Sequence, residues 1–163
     1  DVGKGKTDPE KWPSHSGHEK LGVGLLKTIN TRLKVPNEYA QLAAVVCEYH
    51  TLLHRVTELS PATLLRLLES ADALRRPERF EKFMLACEAD SRGKTSLEKR
   101  DYPQHRYLSS AKDAIAKVDS RTALDTNPSL PPKEAIGLAR LDAISTYVTL
   151  WAQTHLSDTE NLN

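Results

Sequence analysis

Aromatic side chains make up only 6% of this 163-residue chain, and its two phenylalanines, Phe80 and Phe83, sit three positions apart. The chain is instead built largely from leucine and alanine, a composition that favours helices. Neither sign of charge prevails: a formal net charge of +1 and a pI near 8.0 give no global attraction for nucleic acid, so any such contact must come from a local basic patch. Cysteine is scarce as well. Cys47 and Cys87 each lie inside an apolar stretch and read as small buried hydrophobes in a reducing compartment, not as a disulfide framework. No apolar run approaches the roughly 20 residues needed to cross a bilayer, and the opening segment DVGKGKTDPE lacks the charged-then-apolar pattern of a signal peptide. The expected location is cytoplasmic, with no membrane partner. Methionine is nearly absent too: Met84 is the only one and the chain opens with Asp1, which reads as a fragment of a longer protein.

What is present is a set of helical patterns separated by strong breaks. Residues 1–14 carry two prolines and two glycines and read as a loop after at most one turn. Ser14 or Ser16 can cap a first helix to about Leu33, with Leu21, Leu25, Ile29 and Leu33 marking its inward face, and Val35-Pro36 ends it. A second helix from Asn37 to about Leu59 carries Leu42, Ala43, Val46, Leu53 and Val56. Ser60-Pro61 starts a third, rich in leucine, and Pro77 a fourth, PERFEKFMLACEADSR, which Gly93 stops. After the polar stretch GKTSLEKRDYPQ comes a helix from about Gln104 to Val118. The break DTNPSLPPKE precedes a last one striped by Ile136, Ala139, Ala143, Ile144, Tyr147 and Trp151. No strand-like alternation of useful length occurs. The fold class predicted is all-α, with residues 1–95 as one helical domain, 96–155 as a smaller helical tail and 156–163 as a disordered end.

The histidines are clustered. His15 and His18 stand three apart and His50 and His54 four apart, the latter pair about 6 Å along a helix axis and about 40° around it. A carboxylate with paired imidazoles suits Mn, Fe, Co, Ni or Zn better than calcium, because nitrogen donors are borderline-soft. Asp1, His18, His50 and Asp72 are the ligand candidates. From spacing alone, the 50/54 pair reads as one histidine packed in the core and one facing solvent, and His15, after Pro13 and Ser14, reads as readily as an exposed loop residue as a catalytic one.

These residues resemble the HD phosphohydrolases, named for an adjacent His-Asp metal-binding pair. Asp1-Val2-Gly3-Lys4 is similar to the part of the signature that follows its histidine, His18 with Gly22 to the next element, and His50 to the one after it. A late helical aspartate completes the set, Asp72 being the choice and Asp90 its competitor. More narrowly, GHEKLGV, RLKVPNEY, SPATLLRLLESADALRRPERF and LACEADSRGK resemble the HD domain of bacterial multifunctional tRNA nucleotidyltransferases, the CCA-adding enzymes, over about residues 1–107. KEAIGLARLDAI extends the likeness more weakly. The resemblance implies a truncated HD-type helical domain that hydrolyses 2′,3′-cyclic phosphates, 2′-nucleotides and other phosphomonoesters, within a parent enzyme that adds CCA to tRNA. The Gly-Ser and paired-aspartate motif of a nucleotidyltransferase is absent from the 163 positions. Two histidines that the family's site implies, one directly before Asp1 and one upstream, are likewise not in this sequence.

In such a site a divalent ion, with Ni, Co, Mn or Mg as candidates, would be held by Asp1, His18, His50 and Asp72 and would acidify a bound water. Lys4 would neutralise the substrate phosphate, and His15 or His54 would pass a proton to the leaving oxygen or orient the phosphate. Arg75, Arg76, Arg79 and Arg92, with Lys94, form either a phosphate-contacting surface for tRNA or helix ends rich in solvated charge, since Glu78, Glu81, Glu88 and Asp90 interleave with them. The competing function is a non-catalytic helical module that supports tRNA binding or self-association, a second copy filling an apolar groove to give a homo-oligomer.

Overall fold

The computed structural model of the protein describes residues 1–93 and 95–160, with side chains through residue 154. It is all-α: among the described residues there are seven α-helices and no strand. They are α1 (His18–Leu33), α2 (Asn37–His54), α3 (Pro61–Ser70), α4 (Pro77–Arg92), α5 (Gln104–Ala116), α6 (Ser120–Thr126) and α7 (Pro132–Glu160). Short 3-10 turns at Lys4–Lys6, Pro9–Lys11 and Val56–Glu58 complete the chain path. No helix is long and apolar enough to cross a membrane among the described residues.

The starts of α3 and α4 follow from their sequences. Ser60 accepts a hydrogen bond from the Thr63 backbone N–H, Pro61 occupies the first helical position, and Leu64, Leu65, Leu67 and Leu68 turn inward. Pro77 opens α4, whose Phe80, Phe83, Met84 and Cys87 are all fully buried. These two faces meet Leu53 from the end of α2 and Val56 from the 3-10 turn that follows it in one core, which continues through Tyr107, Leu108, Ala111 and Ile115 of α5 to Ile144 of α7. The core therefore takes side chains from both sides of residue 95, with α7 laid against α3, α5 and α6. Both cysteines are free and buried. Burial pushes the Cys87 thiol up to about 12, keeping it an inert packing group.

Three local expectations change. Neither Ser14 nor Ser16 caps α1: it starts one residue after Gly17, whose φ of 86° supplies the left-handed turn, and no side chain caps it. The inward face of α1 is also rotated. His18 and Gly22 are buried, whereas Leu21 and Leu33 are 44% and 62% exposed, because α1 packs on α2 through the small Gly22 side opposite Cys47. Helix α6 had no counterpart in the periodicity, being only seven residues long; Asp119 makes it by accepting from the Thr122 N–H and hydroxyl. The last helix runs on to Glu160, and the rest of the end expected to be disordered, residues 161–163, lies outside the described residues, as does Lys94.

Candidate metal centre

The amino-terminal segment folds back onto α1. A 3-10 turn, with the Lys4 N–H donating to the Asp1 carbonyl, brings Gly3 so close to α1 that a methyl group there would lie 1.9 Å from the His18 carbonyl oxygen. That contact holds Asp1 over the first turn of α1. On the other side α2, packed along α1, presents His50 to the same point.

Three electron-pair donors converge there. Asp1 Oδ1 lies 3.2 Å from His18 Nε2 and 3.6 Å from His50 Nε2, and the two Nε2 atoms are 3.4 Å apart. The other ring nitrogens fix the tautomers. His18 Nδ1 is 3.1 Å from the His15 carbonyl, and His50 Nδ1 is 3.1 Å from both the Val46 and Cys47 carbonyls. A carbonyl oxygen only accepts, so each Nδ1 carries the hydrogen and, in the neutral ring, each Nε2 presents a lone pair. Two lone pairs and a carboxylate oxygen facing one another need a positive centre between them. Ligands about 2.1 Å from one ion, at angles of about 90–109°, stand roughly 3.0–3.4 Å apart, close to the spacing here. Among the described residues these three are the group able to hold a metal ion, with both imidazoles buried and Asp1 exposed.

The surroundings are polar and ordered. Lys4 Nζ donates to Asp1 Oδ2 at 2.7 Å, leaving Oδ1 for the histidines. Glu19, which the sequence reading passed over despite its place beside His18, accepts a 2.7 Å hydrogen bond from the Thr51 hydroxyl and has an oxygen 3.6 Å from His18 Nδ1. Burial works to raise the Glu19 carboxyl, but the Thr51 bond, its own backbone N–H and the two imidazoles together bring it below its ordinary value.

The remaining site candidates fall into separate places. His15 has a φ of 52°, and its Nδ1 lies 2.7 Å from the Thr7 hydroxyl. That hydroxyl donates to the Lys4 carbonyl and accepts from the Trp12 indole N–H, so it takes the His15 Nδ1 hydrogen and leaves His15 Nε2 as the acceptor of the neutral ring. His54 stands edge-on to His50 at 6.1 Å, but both its nitrogens are engaged: Nε2–H donates to Asp90 Oδ2 at 3.0 Å and Nδ1 meets the Tyr102 hydroxyl at 3.0 Å. Tyr102 was not a candidate from sequence, since it lies 48 residues from its partner; burial, reinforced by Cys87, Glu88 and Asp90, pushes its phenol well above the usual range.

Asp72, expected as the fourth ligand, lies outside the converging group. It sits in the left-handed turn after α3 with φ 54°, accepts from Arg75, and accepts from Arg79 Nη2 at 2.8 Å. Its competitor Asp90 is the partner of His54. The hydrogen bond from Arg75, with the charges of Arg75 and Arg79, holds the Asp72 carboxyl below its ordinary 3.8. The sign follows: a lowered folded-state pKa stabilises the fold fully above the ordinary value, and the contribution is lost as pH falls through the lowered one. Asp72→Asn is thus expected to narrow the stability difference between neutral pH and about pH 3, read from urea midpoints at each pH. Arg76 and Arg79 converge on Gln41, whereas Arg92 is paired with Glu88 at the other end of α4.

Comparison with known proteins adds a family context. The chain is 52% identical over 149 residues to the multifunctional CCA protein of Alcanivorax borkumensis, covering 90% of this chain and 36% of that protein. It is 50% identical over 121 residues to that of Teredinibacter turnerae, covering 74% of this chain and 29% of that protein. For the protein of Pseudomonas syringae pv. syringae the identity is 45% over 152 residues, covering 91% of this chain and 37% of that protein. No family model matches the chain, and no solved structure does. The chain spans a little over a third of the length of the curated relatives that it matches over nine-tenths of its own. Over that shared third, the chain is a homologue of the multifunctional CCA proteins.

Proposed function

We propose that Asp1, His18 and His50 hold a divalent cation and that the site hydrolyses phosphate esters of nucleotides: 2′,3′-cyclic phosphates, 2′-nucleotides and simple phosphomonoesters. The observation that carries this reading is the convergence of Asp1 Oδ1 with two Nε2 lone pairs at 3.2–3.6 Å, each imidazole locked in the metal-binding tautomer by a backbone carbonyl. When bound, the ion would supply Lewis-acid polarisation of a phosphoryl oxygen and acidify water. Lys4, an ammonium held beside Asp1, contributes positive charge for the phosphate. His15 keeps Nε2 for proton transfer while Thr7 fixes its ring, which favours it over His54 as the proton-bearing residue. His54, tied to Asp90 and Tyr102, acts as a positioning residue against the His50 ring.

The test is hydrolysis of a 2′,3′-cyclic nucleotide by the purified chain with Ni, Co, Mn or Mg. Turnover lost on chelation, and lost in Asp1→Asn, supports the reading; absence of turnover with all four metals defeats it for this chain. CCA addition to tRNA is proposed for the whole-length protein alone, since the nucleotidyltransferase motif is not in these 163 residues. A second reading, a helical module that contacts tRNA, is favoured by the arginines gathered at the start of α4.

A further inference from the structure

Away from the imidazoles, the first turns of α2 and α4 open onto one cavity of about 380 Å³, lined by Tyr39, Gln41, Arg75, Arg76, Arg79 and Lys82 among others. Four cationic side chains face it against two carboxylates, Glu38 and Glu78. Arg76 and Arg79 both aim at one neutral oxygen: their Nη1 atoms donate to Gln41 Oε1 at 2.6 and 3.1 Å. Two guanidinium groups drawn to a single amide oxygen leave donors unspent. Arg76 is exposed with its other N–H groups open to a ligand, while the buried Nε of Arg79 has no partner at all. Asp72 ties down Arg75 and Arg79, so the positive cluster is fixed in place and not dispersed by repulsion. The amino-terminal ends of two helices of 18 and 16 residues add partial positive charge at the same point. Beside these donors stands an exposed aromatic ring, that of Tyr39, on the wall of the same cavity.

We propose that this cavity binds an unpaired nucleoside phosphate, its phosphate taken by Arg76 and Lys82 and its base laid on Tyr39. The volume lies at the lower end of what encloses a small ligand, enough for one nucleotide and too small for a duplex. Guanidinium groups match phosphate oxygens in planar, two-point fashion, and an exposed ring next to them offers stacking that an acidic peptide has no means to use. The ligand is either a free mononucleotide or one splayed nucleotide of a single strand. This inference deepens the second reading above, the nucleic-acid contact of the α4 arginines, and does not rest on the metal centre.

The experiment titrates the intact chain, in EDTA to silence any metal site, with a fluorescent single-stranded RNA oligomer and separately with a nucleoside 5′-monophosphate. Binding of the strand is expected to weaken between about 50 and 200 mM salt. Tyr39→Ala and Arg76→Gln should each weaken it by about fivefold or more. Both side chains are exposed, so the fold should persist; circular dichroism checks this, and Lys82→Gln supplies an independent variant on the same wall. Displacement of the strand by monophosphate at comparable concentration identifies a free nucleotide as the ligand, and a much tighter strand identifies nucleic acid. The proposal is overturned if neither ligand binds at low salt, or if all three variants bind like the wild type. A phosphoserine peptide that binds as well as the nucleotide and ignores Tyr39→Ala would likewise overturn it.

Discussion

His50→Ala is expected to remove the stabilisation that a divalent ion gives this protein. Binding to the folded state alone adds about 2.7 kcal/mol when the ion is present at about 100 times its dissociation constant. For a chain of this size that amounts to a rise of about 5–10 °C in melting temperature. Each imidazole presents a lone pair that no neighbour replaces, because the other nitrogens of His18 and His50 are spent on carbonyls and both His54 nitrogens on Asp90 and Tyr102. Losing one donor should weaken affinity by at least about 100-fold and flatten the shift at the same ion concentration. Asp72→Asn provides the contrast. Held by Arg75 and Arg79, Asp72 is outside the converging group, so its loss should lower the melting temperature without ion yet leave the ion-induced rise intact. A wild-type protein indifferent to Ni, Co, Mn and Mg would dismiss the metal centre; a rise that survives His50→Ala would dismiss this ligand set.

Gly3→Ala is expected to be as damaging to the site while sparing the core. The added methyl would meet the His18 carbonyl oxygen at 1.9 Å, the Gly22 nitrogen at 2.7 Å and the His18 carbonyl carbon at 2.9 Å. All three are backbone atoms of a helix and cannot rotate aside. The 3-10 turn must lift from α1, carrying Asp1 with it, so the ion-induced rise should vanish, while unfolding of the leucine and phenylalanine core, to which residues 1–6 contribute nothing, stays close to the wild type. Gly5→Ala is the control, since nothing lies within 4 Å of its added methyl. Gly22→Ala should act differently: its methyl would lie 2.5 Å from Cys47 Sγ, a side chain, so it forces α1 off α2 at a cost of about 1–3 kcal/mol. Adding Cys47→Ala should recover part of that loss. Gly3→Ala has no such partner to trim. Calorimetric melting with and without metal reads all of these.

Elements announced by local chemistry were legible before any coordinates. Ser60-Pro61 and Pro77 state where α3 and α4 begin, and the Phe80, Phe83, Met84 and Cys87 spacing gives the buried face of α4. What could not be read was rotation and pairing. Leu21, Leu25, Ile29 and Leu33 make an apolar stripe as good as any core face, yet α1 seats itself on His18 and Gly22, because close approach to Cys47 and Gly3 decides the contact and glycine carries no hydrophobic signal. In the site, Asp1, His18 and His50 came from a resemblance to a known motif, and the structure brings them together. The preference for Asp72 over Asp90 had no local basis: each follows apolar helical residues, and only the position of distant arginines and of His54 separates them. Tyr102 and Thr51 were invisible because their hydrogen-bond partners, His54 and Glu19, are 48 and 32 positions away.

The two tryptophans occupy opposite environments, and this divides the molecule's intrinsic fluorescence into two reporters. Trp12 is 59% exposed, and its indole N–H is tethered to Thr7 within the very segment that suspends Asp1, so its emission is that of a solvated ring and follows lifting of that segment. Trp151 rests against Tyr107 at 5.0 Å and Tyr147 at 6.0 Å, with Arg106 over its face, so its emission is that of a shielded ring and follows separation of α5 from α7. A single emission scan thereby distinguishes loosening at the ion-binding corner from loosening at the carboxy-terminal helix pair, without any label.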